Sequence, residues 1–95
     1  MKEGIEFEWD AANTAHIARH GITPREAEQA MANDPVEVRS AVRGAEFRTL
    51  RLGQTDAGRY LTLIYTRRGG QIRIVTAYPM KRKHRRLYEG HKGKA

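Results

Sequence analysis

The sequence predicts an α+β domain in which a strand and two helices precede a four-stranded antiparallel meander and a C-terminal helix. Two helix-start signals lie before residue 30, and apolar runs separated by glycine turns occupy residues 36–78. Pro79 ends the last of these runs, and a strongly basic segment follows it. Ninety-five residues suffice for one hydrophobic core, so we predict a single domain over residues 1–95, with 89–95 as a flexible tail.

The N-terminal segment predicts one short strand and one helix. Apolar and acidic residues alternate over residues 5–9, which places three apolar side chains on one face of a strand. Asp10 can cap an alanine-rich helix over residues 11–20. Gly21 then stands where the end of a helix favours a positive φ.

The clearest local signal is a capping box that opens the second helix. Thr23 can serve as the N-cap, Pro24 suits the first helical position, and Glu26 can bond back to the N-cap. We expect this helix to end near residue 32, and its buried stripe to consist of Ala27, Ala30 and Met31.

Four alternating or β-branched runs predict the meander, over residues 36–43, 47–52, 59–67 and 71–78. The third run is apolar on both faces, which is typical of a central strand. Gly69-Gly70 predicts a two-residue hairpin turn, so Thr66 is expected to face Arg73 across the last two strands. The face of this hairpin that is open to solvent would carry Tyr60, Thr62, Ile64, Thr66, Arg73, Val75 and Ala77.

Arg73 is therefore expected to place a cation on a partly apolar sheet face, and two interpretations follow. The guanidinium could form a salt bridge with a carboxylate on a neighbouring strand. Alternatively, its planar fork could grip two oxygens of a phosphate, since it stays charged at any working pH.

The positive charge of the chain is concentrated at its C-terminal end. Residues 1–80 carry eleven basic and ten acidic side chains, whereas residues 81–95 carry seven basic side chains and one acidic one. The net charge of the whole chain is +7. A local basic block beside a tyrosine and a histidine suggests a polyanionic ligand, and RNA is the first candidate.

Composition excludes several other functional classes. The chain contains no cysteine, so it can form neither a disulfide framework nor a thiolate zinc site. His16 and His20 have the i, i+4 spacing of a metal pair, but no third ligand stands out, and we predict no metal and no cofactor. No apolar run reaches the length of a membrane span or of a signal peptide core, so we predict a cytoplasmic location and no membrane partner.

The segment after the last strand predicts a basic helix that starts at residue 81 and that Gly90 closes. By the i, i+4, i+7 rule, Lys81, Arg85 and Tyr88 share one side of this helix. Tyr88 would then lie at the edge of a cationic face, or it could pack its ring on the sheet while the charges face solvent. The side expected to pack carries Met80, His84 and Leu87.

Several short motifs occur in an order and approximate spacing that resemble one known family. The motifs are Phe7-Glu8-Trp9-Asp10, His20-Gly21-Ile22-Thr23, Arg59-Tyr60-Leu61, Tyr65-Thr66-Arg67, Ile72-Arg73-Ile74-Val75-Thr76-Ala77 and Arg85-Arg86-Leu87-Tyr88-Glu89. Together they resemble the BrnT family, toxins of type II toxin–antitoxin systems with a RelE-like ribonuclease fold. The resemblance covers about residues 5–89.

The resemblance implies metal-independent cleavage of RNA, with mRNA as the expected substrate, inhibition of translation, and neutralisation by a cognate antitoxin. This chemistry needs a base for the ribose 2′-hydroxyl, cations for the charged phosphorane, and an acid for the leaving 5′-oxygen. The candidates for charge stabilisation and proton transfer are Arg73, Arg85, Arg86, Tyr88 and His20. The first four of these are expected to converge on one phosphate. The RNA-binding candidates are Lys81, Arg82, Lys83, Arg59 and Arg67.

Two residues beside the expected site depart from the family pattern. Tyr78 stands where the family usually has Arg, and His84 stands where it usually has an acidic residue. Two alternatives to an active ribonuclease therefore stay open. One is a non-catalytic nucleic-acid-binding module that uses the same charges, and the other is a chain that keeps the toxin fold without its activity.

Overall fold

The structure, a computed structural model, describes residues 5–92 and confirms the predicted α+β class. Its four strands form one antiparallel sheet in the order β1-β2-β3-β4, with the two-sided apolar strand β3 inside the sheet. No helix of the described residues is long and apolar enough to cross a membrane. The elements in chain order are α1 (Ala11–Ala18), α2 (Pro24–Ala32), β1 (Val36–Arg43), β2 (Glu46–Gln54), β3 (Tyr60–Arg68), β4 (Gln71–Pro79) and α3 (Arg82–Lys92).

Both predicted helix caps are present. The Asp10 carboxylate accepts a hydrogen bond from the backbone N–H of Asn13, whose side chain accepts one from the backbone N–H of Asp10. Thr23 and Glu26 form the same reciprocal pair at the start of α2. These local signals mark the starts of both helices, and at α1 the same residues also bond to β4, Asn13 to the Ile74 carbonyl and Asp10 to Arg73.

The predicted N-terminal strand is reduced to a single parallel bridge between Phe7 and Ile72. The backbone N–H of Glu8 donates to the Ile72 carbonyl at 2.8 Å, but the Glu8 carbonyl accepts from the side chain of Asn13 at 3.0 Å. The prediction of a full strand was wrong in extent, because this side-chain bond takes the carbonyl that would continue the ladder and turns the chain into α1. Ile5 is correspondingly exposed.

The core lies mainly between the sheet and the first two helices. Helix α1 packs on β4, and α2 packs on β2 and β3. Gly53 of β2 meets α2 so closely that a β-carbon there would overlap the backbone carbonyl of Ala30. The buried residues of this core include Ile17, Ile22, Ala27, Ala30, Met31, Leu61, Leu63, Tyr65, Ile72 and Ile74.

A second, smaller core lies on the other face of the sheet, beneath α3. Its buried members are Leu50, Leu52, Met80 and Tyr88. Because α3 is a single helix and contacts mainly β2, it covers only one end of this face. The remainder of the face is available to a ligand.

The β3–β4 hairpin has the predicted register, with Thr66 opposite Arg73. A bulge then shifts the register between Ile64 and Tyr65, so that Ala77 pairs with Leu63 and is buried in the main core. The expectation that Ala77 lies on the open face was therefore wrong. A bulge adds one residue to a strand and reverses the facing of every residue beyond it.

Helix α3 continues through Gly90 to Lys92, so residues 89–92 are helical rather than a flexible tail, and 93–95 lie outside the described residues. Two contacts of Lys92 stabilise the last turn of this helix. The ammonium of Lys92 lies 3.4 Å from Oε1 of Gln54 and 5.7 Å from the ring centroid of Tyr88. A glycine inside a helix costs only about 1 kcal/mol, which such contacts offset.

Replacing Gly53 by alanine tests the packing of α2 on the sheet. The added methyl group overlaps the Ala30 carbonyl, so we expect the free energy of unfolding to fall by about 2 kcal/mol or more. Urea denaturation measures this change. The matched control is Gly90→Ala, whose β-carbon meets nothing within 4 Å and should leave stability unchanged or raise it. Equal stability of the Gly53→Ala protein would contradict the close approach.

Candidate functional site

The candidate site lies on the sheet face that α3 partly covers, which we call the open face. Three rows of cross-strand neighbours cross it, each with one residue from β2, β3 and β4. The row nearest the start of α3 carries a leucine, a threonine and a tyrosine. In the middle row Leu50 is buried and the other two residues are half-buried, and the far row carries two arginines. In this order the rows are Leu52-Thr62-Tyr78, Leu50-Ile64-Thr76 and Arg48-Thr66-Arg73.

His84 is the imidazole that α3 holds over this face. Its Nδ1 atom lies 3.3 Å from Oγ1 of Thr62, and the residue is half-buried. Burial lowers the pKa of His84. Three nearby cations lower this pKa further, in the order Lys83, Arg39 and Lys81. The imidazole is therefore neutral at pH 7 and able to accept a proton.

A second imidazole approaches the same row of the sheet. The His20 ring lies edge-on to the Tyr78 ring, with 6.0 Å between the centroids. The ammonium of Lys81 lies 5.7 Å from the Tyr78 centroid. Since Tyr78 is the cross-strand partner of Thr62, the two departures from the expected family pattern, Tyr78 and His84, belong to one cluster with His20.

Five of the ten arginines that precede α3 form ion pairs with carboxylates. Ion pairs join Arg51 to Glu37 and Arg59 to Glu26, and further pairs involve Arg48, Arg68 and Arg73. Within residues 5–92, no ion pair involves a cation of α3, or Arg39 or Arg43 of β1. Cations that form no ion pair within the described residues, namely Lys81, Lys83 and Arg39, therefore lie near His84.

Arg73 is not free to clamp a phosphate. Its two terminal nitrogens donate to the two carboxylate oxygens of Asp10 at 3.0 and 3.3 Å, and Glu8 lies 3.9 Å away. The hydrogen bond from Arg73 is the main cause that lowers the pKa of Asp10. Of the two interpretations of Arg73, the salt bridge is the one that the structure shows.

Tyr88 is fully buried, so of the two placements left open for this residue the structure shows the one in which its ring packs on the sheet. Its ring packs edge-on against Tyr60 at 5.2 Å, and burial raises its pKa. Residues at i and i+4 share one side of a helix, so His84 and Tyr88 face the sheet together while Leu87 turns to solvent. A buried hydroxyl cannot exchange protons with RNA.

The expected convergence of Arg73 and α3 on one phosphate was also wrong. The Arg85 guanidinium lies over the ring of Tyr60, 5.3 Å from its centroid, whereas Arg73 pairs with Thr66. Tyr60 and Thr66 are six residues apart on β3, which separates these two positions by about 20 Å. Arg86 is exposed on α3.

The predicted RNA-binding residues fall into two groups. Lys81, Arg82 and Lys83 are exposed at the start of α3, beside His84. Arg59 instead bonds to Glu26 and to the backbone of α2's entry turn. Arg67 lies 6.0 Å from the centroid of the Tyr65 ring, on the opposite face of the sheet. Only the first group adjoins the candidate site.

Sequence reasoning did not select His84 or Arg39 as functional residues. A register shift between Glu37 and Arg39 brings Arg39 opposite Leu50, on the open face, together with Arg43. The alternation of Arg39, Ala41 and Arg43 in the sequence indicates that the two arginines share one face of the strand. The sequence does not reveal the bulge, which determines that this is the open face. His84 could have been found as a histidine within a basic helix turn that follows a strand.

A neutral imidazole among uncompensated cations on an open sheet face is suited to cleavage of a phosphodiester. A family model described as the ribonuclease toxin BrnT of type II toxin–antitoxin systems matches residues 9–84. The match spans most of the chain, which therefore belongs to this family. Comparison with curated proteins gives no match.

Membership of this family makes the protein a ribonuclease toxin whose system includes an antitoxin partner and an RNA target. The matched range contains Arg39, Tyr78 and His84. It ends before Arg85, so the family match itself does not support Arg85, Arg86 or Tyr88 as catalytic residues.

Substitution of Tyr88 tests whether this residue anchors α3 on the sheet or takes part in RNA cleavage. The Tyr88 hydroxyl has no hydrogen-bond partner among the described residues, so Tyr88→Phe should keep RNA cleavage and raise the free energy of unfolding by up to about 1 kcal/mol. Tyr88→Ala should lower that free energy by about 3–5 kcal/mol. Urea denaturation and RNA cleavage assays measure both. A Tyr88→Phe protein that is stable but inactive would contradict the anchoring role.

Proposed function

We propose that this ribonuclease toxin cleaves mRNA at the open face beside His84, without a metal ion, and thereby stops translation. The observation that carries the proposal is the half-buried imidazole of His84, 3.3 Å from Thr62 and next to cations that form no ion pair within the described residues. Burial and these cations lower the pKa of His84. An imidazole that stays neutral at pH 7 can act as a general base, and the same cations can stabilise the charge that develops on phosphate.

In the proposed reaction His84 accepts the proton of a ribose 2′-hydroxyl. The 2′-oxygen forms a bond to the adjacent phosphorus, and the bond from phosphorus to the 5′-oxygen breaks, leaving a 2′,3′-cyclic phosphate and a 5′-hydroxyl. Lys81, Lys83 and Arg39 stabilise the negative phosphorane oxygens. His20, the second imidazole beside the Thr62–Tyr78 pair, is the candidate donor of the proton to the 5′-oxygen.

The free cations also indicate a path for the RNA. A groove of about 130 Å³ lies on the open face, lined by residues that include Arg39, Arg43 and Ile64. On the other side of His84, the exposed cations of the first turns of α3 continue the path. Phosphates would contact these cations in turn, so the backbone would cross the sheet beneath His84. The residues on this path are Lys81, which directly precedes α3, and Arg82, Lys83, Arg85 and Arg86 of α3.

The closest test of this site is His84→Gln, which preserves size and polarity but removes the base. We expect cleavage of a model mRNA in EDTA to fall by about 100-fold or more, because loss of a general base costs that much. Binding to the same RNA should change little, since the cations are retained. The matched control is His91→Gln, an exposed histidine at the far end of the same helix, which should cleave at the parental rate.

The assay also separates the alternatives for the whole chain. Cleavage by the parent in EDTA supports a metal-independent ribonuclease. If the parent binds RNA tightly but does not cleave it, the chain is a binding module or an inactive toxin fold. If the parent cleaves and His84→Gln cleaves equally well, the reaction does not use this imidazole.

A further inference from the structure

The sheet has one edge that no other described segment covers. Strand β1 pairs only with β2 within residues 5–92, whereas β4 at the opposite edge carries the Phe7 bridge. All residues of 39–43 are exposed. The outer edge of a strand offers backbone donors and acceptors at the spacing that another strand requires, so such an edge is a template for pairing.

An exposed apolar pair lies beside this edge. Val42 and Phe47 are cross-strand neighbours and are 68% and 61% exposed, the highest values among the large apolar residues that the structure describes. They share the helix-side face with Thr49 and Gly53, but α2 covers that face only near Gly53. A groove of about 430 Å³ adjoins Phe47 and extends to Tyr65 and Arg67.

The two faces of β1 differ in chemistry. On the helix side, Val42 and Phe47 form an apolar patch. On the open face, Arg39 and Arg43 carry charges that form no ion pair within the described residues. Because side chains of a strand point alternately to the two faces, an added strand would meet both surfaces at once. The complementary segment therefore alternates apolar and acidic residues.

We propose that the antitoxin docks on the outer edge of β1 by adding such a segment as a fifth strand. Its apolar side chains cover Val42 and Phe47, and its carboxylates lie beside Arg39 and Arg43 in the RNA groove. The part of this inference that concerns neutralisation rests on the proposed RNA path. Strand addition gives affinity through backbone hydrogen bonds, and the side-chain alternation gives specificity.

A second copy of this chain fits the same edge less well. A twofold pairing of two β1 strands would bring Arg39 and Arg43 of both copies together along the shared edge. Like charges that face each other across strands are destabilising. An acidic partner removes this repulsion, so charge complementarity favours the antitoxin.

The first arm of the test uses the double variant Val42→Asp with Phe47→Asp and the purified cognate antitoxin. We expect its affinity for the variant to fall by about 30-fold or more, while cleavage of RNA by the free variant stays at the parental rate. The matched control, Ile5→Asp, changes another exposed apolar residue and should keep parental affinity. Unchanged affinity of the double variant overturns the proposal.

The second arm uses the unmodified protein. Hydrogen–deuterium exchange with and without the antitoxin should show at least about tenfold slower exchange of amides in residues 39–43, since new ladder bonds protect them. Equal exchange in the two states overturns strand addition. So does sedimentation of the free protein as a dimer that the double variant dissociates. A parent that binds antitoxin at β1 but does not cleave RNA contradicts the proposed function and leaves the docking surface intact.

Discussion

The burial of one tyrosine ring fixes the geometry of the whole candidate site. Helix α3 is almost entirely polar, and Tyr88 is its one fully buried residue. Burying such a ring contributes about 2–3 kcal/mol, which is a large share of what holds an otherwise charged helix on a sheet. Because His84 lies one turn before Tyr88 on the same side, the anchor places the imidazole over Thr62 and partly removes it from water.

Charge is distributed so that this anchor has a functional consequence. The acidic residues are concentrated before α3, where carboxylates pair with arginines of the scaffold, as Asp10 does with Arg73 and Glu26 with Arg59. The cations of α3 and of the outer strand are left without such partners in the described chain. They lower the pKa of His84, attract a polyanion, and give an acidic protein partner a complementary surface. In the proposed account, one arrangement of charge thus serves RNA cleavage, RNA binding and neutralisation.

The sequence was sufficient for features that depend on neighbouring residues. The cap at Asp10, the capping box at Thr23, the Gly69-Gly70 turn and the pairing of Thr66 with Arg73 were all predicted, because each depends on short-range chemistry. The bulges near Arg39 and in the last hairpin were not predicted, since a bulge reverses the facing of residues without a mark in the alternation. The same holds for the site: the basic helix could be predicted from the sequence, because its charges are consecutive along the chain.

Two features of the site required tertiary information. The carboxylate that occupies Arg73 belongs to Asp10, 63 residues earlier, and no local pattern pairs them. The sequence predicted that Leu87 faces the sheet, whereas the structure buries the next residue, Tyr88. The sequence could not decide between them, because both residues are apolar enough to face the sheet. Only the fit against Tyr60 and Leu52 selects Tyr88.

The most direct test of the resulting account is imidazole NMR of the four histidines, during pH titration and on addition of a 2′-O-methyl oligonucleotide that cannot be cleaved. We predict that His84 titrates below the ordinary histidine pKa of about 6.5, so that protonation and loss of the base occur only as pH falls through this lowered value, and that its resonances shift when the oligonucleotide binds. A His84 that titrates at or above the ordinary value, with resonances that the oligonucleotide leaves unchanged, would contradict the account.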